Sequence, residues 1–351
     1  MNPSVSQTSQ SEALNEPLQK FPISGSVQEG LLEALWEASD RHGSMSPYFK
    51  YYSKRIQRLR LDGCDGFCAD SHADIVSISR RILDGASRDE IFDQVAVAEK
   101  CVSASTAADI NHGIDMCASL LVMAEIELNG SSSGLSGLTA VPWKSGSLNN
   151  ALAIYFCPQK TLQADRPKLG KVFTARNLNR IAGIEIRWTT NLADHLRLVD
   201  DDQVVFIFHC ASFLQLQKSL DNTPFPASFL QETLDTLALL FPSSDNETTN
   251  WLKSIAKIDP RLLKCGSLRT RERRLENFNY WHDQLVILKQ AFDESSPRNI
   301  SQWWFDRRNG VQWYTFWIAI LVFAVTIFFG IVQSVEGALQ VYLAYKSMQS
   351  G

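Results

Sequence analysis

Apolar positions recur at helical spacing through most of the first 130 residues. Val27, Leu31, Leu35 and Trp36 form one stripe, opened by Ser26 with Glu29 as a capping box. Phe49, Tyr52, Ile56 and Leu59 form a second behind Ser46-Pro47, a serine cap followed by proline at the first helical position. Ser71 with Asp74 opens Ile75, Ile78 and Ile82, and Gly85 closes the element. Ser87 with Glu90 opens Ile91, Phe92 and Val95, and a longer helix carries Ile110, Ile114, Cys117, Leu121 and Ala124. Each one-sided stripe needs a partner, so residues 25–128 are expected to form a helical bundle.

The pattern changes on either side. Residues 1–24 are polar and interrupted by Pro3, Pro17 and Pro22, which predicts a disordered N-terminus. Residues 129–140 begin NGSSSGLSG and read as a linker. Residues 141–300 are mixed. A short helix is expected near 147–156, a helix ending at Gly183, a strand over 184–188, a helix capped by Thr190 or Asn191 and carrying Leu192, His195, Leu196 and Leu198, and a buried strand over 204–208. That order suits a winged-helix-like arrangement or a small α+β insert. Ser228 with Gln231 opens a helix that Pro242 ends, a short helix follows over 251–258, and Leu275, Phe278, Trp281, Leu285, Leu288 and Phe292 make another amphipathic stripe.

One segment follows neither period. Residues 313–332 contain no charge, and 12 of these 20 residues are Leu, Ile, Phe or Val. A helix of that length spans about 30 Å, the hydrocarbon thickness of a bilayer, and its apolar residues favour insertion by about 4–7 kcal/mol. The reading is a transmembrane helix over 313–335, with an interfacial helix and tail over 336–351 and an aromatic, basic juxtamembrane segment over 301–312. Trp303, Trp304, Trp313, Tyr314 and Trp317 suit the headgroup level, and Arg307 and Arg308 stand just before the span. With Arg298 they outweigh Lys346 beyond it, so the preceding chain is expected on the cytosolic side of a single-pass, tail-anchor-like protein. The N-terminus lacks the basic and apolar regions of a signal peptide. The sequons at Asn129, Asn246 and Asn299 are then expected to carry no sugar.

Composition narrows the functional classes. Lys and Arg number 34 against 38 Asp and Glu, for a net charge of −4. That balance excludes a globally basic nucleic-acid binder, and 21 % charged residues exclude a polytopic membrane protein. The basic residues concentrate late in the chain, at Arg269, Arg271, Arg273, Arg274, Arg307 and Arg308, where an anionic leaflet would attract them. Seven scattered cysteines do not build a disulfide scaffold.

Four constellations invite chemistry, and each has a plainer explanation. Gly130-Ser131-Ser132-Ser133-Gly134 matches a hydrolase elbow, but it lacks the strand before and the helix after that hold such a serine, so it reads as linker. Cys64, Cys68 and His72 recur every fourth residue beside Asp62, Asp65 and Asp70. Gly63 and Gly66 argue for a loop there, and a fourth ligand at paired spacing is missing, so the expectation is no metal. Asp194-His195 with His209-Cys210 lacks an oxyanion feature, and a histidine on an apolar face is ordinarily a hydrogen-bonded core residue. Thr189 to Arg197 would meet phosphate with Asp194 and Asp200 to Asp202 beside it, so nucleic acid is not expected. Gly330, Gly337 and Ala338 place small residues on one side of the apolar helix, which would permit self-association.

A resemblance adds to this reading. It rests on Ile181-Ala182-Gly183-Ile184-Glu185-Ile186, on Asn191-Leu192-Ala193-Asp194-His195-Leu196 and, most specifically, on Gln302-Trp303-Trp304, Asp306-Arg307-Arg308-Asn309 and Gln312-Trp313-Tyr314-Thr315-Phe316-Trp317. In these the chain resembles a widespread, uncharacterised fungal family of membrane-anchored proteins. The resemblance implies a fungal origin, membrane anchoring and an accessory gene-neighbourhood role. It brings no catalytic residue and no cofactor.

The expectation is therefore a mainly α protein: a helical bundle, a small α+β part and one C-terminal transmembrane helix. Its expected function is that of a non-enzymatic, membrane-tethered interaction or regulatory protein, with the lipid bilayer and a protein partner or a second copy as partners. A hydrolase-like enzyme with an unrecognised site and an oligomeric membrane-perturbing factor are the alternatives.

Overall fold

A computed structural model of the chain describes residues 13–18, 20–38, 45–61, 69, 71–97, 107–128, 137–158, 160–163, 167–295, 300–305 and 310–349. The chain divides into two units, one of residues 1–179 and 184–294, the other of residues 180–183 and 295–351.

The first unit opens with five helices: α1 (Gly25–Trp36), α2 (Ser46–Leu61), α3 (His72–Leu83), α4 (Arg88–Val97) and α5 (Ala107–Val122). The apolar stripes point inward as expected. Tyr48, Tyr52, Ile56, Ile75, Ile82, Ile114, Cys117 and Leu121 are fully buried, around α5, which packs on α2, α3 and α4. The Leu59 side chain lies outside the described residues. Ser71 and Asp74 form the complete reciprocal capping box, and Ser87 and Glu90 exchange the same two bonds. At α1 the cap is Ser24 rather than Ser26, its hydroxyl accepting from the Val27 amide at 3.3 Å. The segment expected to be disordered over 1–24 includes described residues with fixed places: Leu18 and Ile23 are buried, and Pro17 bridges Ser71.

After α5 the chain enters small sheets. Strands β1 (Glu125–Glu127) and β2 (Ala140–Pro142) pair in parallel, and α6 (Leu148–Tyr155) follows, capped by Ser147. Helix α7 (Ala175–Arg180) leads to β3 (Glu185–Thr189), β4 (Leu198–Val199) and β5 (Val204–Phe208). The order is β3-β5-β4, with β5 parallel to β3 and antiparallel to β4. The helix expected after Asn191 is a single 3-10 turn, Leu192–Asp194. Leu196 has φ 60°, which ends helical continuation, and its amide then donates to the Phe206 carbonyl at 2.8 Å. Leu198, expected on a helix, therefore lies in β4.

The unit closes with α8 (Ala211–Lys218), α9 (Phe229–Leu240), α10 (Asn246–Ser254) and α11 (His282–Glu294). Helix α10 starts earlier than the expected 251–258 because Asp245 caps it, accepting from the Glu247 amide. The stripe from Leu275 to Phe292 is divided: a 3-10 turn holds Leu275, and α11 begins only at His282.

Buried charges tie these layers together. Arg88 lies over the Trp143 ring, donates to Asp115 at 2.5 Å, and reaches both the side chain and the carbonyl of Asn111. Asn191 accepts from the Glu125 amide and donates to the Thr139 carbonyl and to Asp194, so one side chain joins β1, the approach to β2 and the 3-10 turn. Glu232 of α9 accepts from the amides of Asn279, Tyr280 and Trp281 at 2.7–2.9 Å. It acts as a long-range cap for the entry to α11, where an anion also favours the helix dipole.

The second unit contains α12 (Ile300–Phe305) and α13 (Gly310–Gln349). At 40 residues α13 is about 60 Å long. It runs without interruption from the expected span into the segment expected to form a separate interfacial helix.

Candidate functional site

Helix α13 is long and apolar enough over Trp313–Gln349 to cross a membrane, and no part of its most apolar stretch is buried among the described residues. Phe323, Leu321 and Phe329 are 67 %, 62 % and 58 % exposed. The hydroxyls of Thr315, Thr326 and Ser334 donate to the carbonyls four residues back, at 2.8–2.9 Å. A helix of this kind presents hydrocarbon outward and turns these hydroxyls back onto its own backbone, as suits a lipid-embedded segment.

Three of the expected interface residues are brought together at its start. The Trp304 and Trp317 rings meet edge-to-face at 4.8 Å, Trp313 lies 6.2 Å from Trp317, and the Trp313 indole N–H donates to the Trp304 carbonyl at 3.4 Å. The i, i+4 spacing puts Trp313 and Trp317 on one face of α13, where α12 folds back on them. Trp317 Nε1 has no hydrogen-bond partner among the described residues. Tyr314 is exposed and meets Trp313 edge-on. Trp303 lies in α12, and its side chain, like Arg307 and Arg308, lies outside the described residues.

The titratable clusters suggested by sequence serve the core. His195 accepts from the Phe208 amide through Nδ1 at 3.2 Å, so its proton is on Nε2 and donates to Thr236 at 2.7 Å. The ring stands edge-on to Trp281 at 4.8 Å, and burial holds its pKa down to about 3. Asp194 is occupied by Thr139, Asn191 and Arg197. His209 Nδ1 lies 3.8 Å from Cys210 Sγ, and burial pushes the Cys210 thiol well above its ordinary range. A neutral histidine beside a protonated thiol is the reverse of a catalytic pair.

Elsewhere, His72 bonds the Tyr52 hydroxyl at 2.8 Å, and burial lowers its pKa to about 4. Cys64, Cys68 and their neighbouring aspartates lie outside the described residues, as does Gly130 to Gly134. Among the described residues no group of His, Cys, Asp and Glu is arranged to hold a metal. Of the late basic residues, Arg273 is buried and donates to the carbonyls of Leu169, Gly170 and Phe173, which removes it from the surface. At the Asn246 sequon the Thr248 hydroxyl is buried and donates to Asp245 at 2.5 Å.

Sequence reasoning missed a cleft of about 840 Å³ in the first unit. Its walls are the loop after β2, with Lys144, one face of α6 with Asn150, Ala151 and Tyr155, and the start of α11 with Tyr280, Trp281 and Gln284. Phe156 meets Trp281 at 6.3 Å and Tyr155 edge-on at 4.9 Å. The Trp281 ring is fixed by its N–H, which donates to Thr233 at 2.9 Å. Burial, with Asp194 nearby, raises the Tyr155 pKa, so its hydroxyl stays protonated. These residues come from two stretches far apart in the chain, 142–157 and 280–284, so spacing carried no signal of the cleft.

No family model, curated protein or solved structure matches the chain.

Proposed function

We propose that this is a non-enzymatic, membrane-tethered interaction or regulatory protein. In this reading the second unit is the tether, the first unit faces the cytosol, and the partner is a protein or a second copy. The observation that carries it is α13, a continuous helix most of whose large apolar side chains are exposed among the described residues. Water is a poor neighbour for such a surface, and hydrocarbon is a neutral one. The tryptophans at its start support placement at the headgroups. Arg298, Arg307 and Arg308 before the span, against Lys346 after it, support the cytosolic orientation. The use of His195, His209 and Cys210 as core fixtures supports a role other than catalysis.

The test is extraction of membranes with alkaline carbonate. The wild-type chain is expected in the pellet. Replacing Leu321 and Val325 by arginine opposes insertion by about 5–7 kcal/mol, enough to offset the apolar gain, and should move the chain to the supernatant. Release of the wild-type chain would overturn the tether. Protease added outside intact organelles should degrade the first unit, and protection of that unit would overturn the orientation. A partner recovered with the wild-type chain should be lost with the double variant.

A further inference from the structure

We propose that the cleft between α6 and the start of α11 binds a flat aromatic carboxylate. At about 840 Å³ it falls in the range of small-molecule sites, roughly 300–1,000 Å³. Among the described residues its lining contains no carboxylate, and Lys144 is its one charged side chain. Lys144 is exposed. The same lining carries aromatic rings. Phe156 and Trp281 are buried, and Trp281 is held rigidly by Thr233 and by the Glu232 cap on its amide. A preorganised ring wall favours a planar apolar body at small entropic cost. The lone cation and the rings that share this lining specify the ligand's carboxylate and its plane.

This inference does not rest on the tether, because every residue it uses lies in the first unit. The full chain in lipid nanodiscs is dialysed against 6-hydroxy-2-naphthoate and against its neutral amide, with empty nanodiscs as the background. Cys157, which also lines the cleft, reports occupancy through its iodoacetamide alkylation rate, read on its own peptide by mass spectrometry. The expected result is saturable binding of the carboxylate above background, with slowed Cys157 alkylation. Lys144→Gln, at an exposed position that leaves folding intact, should weaken binding about tenfold, and Ala151→Trp should fill the cleft and abolish it. Absence of binding above background overturns the proposal. So does equal binding of acid and amide, or naphthoate binding unchanged in Lys144→Gln.

Discussion

The two units handle polar atoms in opposite ways. In the first, polar side chains are buried and serve groups distant in sequence: Glu232 meets amides 47–49 residues away, and Asn191 links segments 52 and 66 residues apart. In α13 each hydroxyl of Thr315, Thr326 and Ser334 turns back to a carbonyl of its own helix, four residues before it. The apolar side chains show the matching contrast. Those of the first unit cover one another, and those of α13 are left to the surroundings. Specificity in the first unit thus comes from long-range hydrogen bonds placed in a core. The second unit needs only a backbone that closes on itself and a medium without water.

The sharpest way to break that comparison is Glu232→Ala. Its carboxylate satisfies the Tyr280 and Trp281 amides at the entry to α11, and removal leaves buried donors unmet. The expected loss is about 3–5 kcal/mol, seen as a lower urea midpoint for the first unit by tryptophan fluorescence. Glu232→Gln retains an acceptor oxygen and should lose less. Carbonate extraction of either variant should match the wild-type chain, since α13 does not use this residue. A Glu232→Ala protein with unchanged midpoint would remove the cap from the explanation of α11.

That residue also shows where sequence reading stops. Glu232 sits within an apolar helical stripe and lacks any local partner that would announce its role. The Ser71–Asp74 box was legible because both bonds join residues three apart. The α13 span was legible because composition alone decides it. Strands β1 and β2, of three residues each, are too short for alternation to register. The helix expected after Asn191 stops at one turn, although Asn191 caps it by accepting from the Ala193 amide at 3.3 Å, because Leu196 at φ 60° turns its amide to the Phe206 carbonyl, and a tertiary bond overrode local pattern. The cleft was invisible for the same reason: it exists only once α6 and α11 are brought together. The aromatic group at the start of α13 was readable as residues, and its packing around Trp317 was not.

A second, smaller effect separates the units by pH. Burial lowers the His209 pKa to about 4, helped by the charges of Lys50 and Lys54, against an ordinary value of 6.5. Above pH 6.5 the ring is neutral in both folded and unfolded chains. As pH falls from 6.5 towards 4, the unfolded chain takes up a proton that the folded one refuses, so stability drops by about 1.4 kcal/mol per pH unit at most. Below that window the contribution is constant. His195, lowered by burial to about 3, and His72, to about 4, act in the same direction. Asp283 responds later. Burial would raise its pKa, but bonds from His282, Thr161 and Leu162 prevail and take it to about 2, so its contribution is lost only as pH falls from 3.8. His209→Phe should flatten the pH dependence between 6.5 and 4 by up to one proton's worth. An unchanged slope would show that His209 is accessible to protons in the fold.

The smallest effect is the cleanest comparison, because one substitution is made in both settings. Thr233 accepts from the Trp281 indole N–H at 2.9 Å while donating to the Phe229 carbonyl at 2.9 Å. Thr326 only donates, to the Val322 carbonyl at 2.8 Å, and that carbonyl keeps its own helix bond. Valine has the shape of threonine without the hydroxyl. Thr233→Val strands the indole N–H in a packed wall and should lower the stability of the first unit by about 1–3 kcal/mol. Thr326→Val removes a donor together with its need for a partner, and should leave both carbonate extraction and the urea midpoint within about 0.5 kcal/mol of wild type. The same methyl-for-hydroxyl exchange is then costly where another residue depends on the oxygen and silent where only its own helix does. Equal destabilisation by the two variants would mean that α13 is packed against protein rather than lipid, and would remove the distinction between the two units.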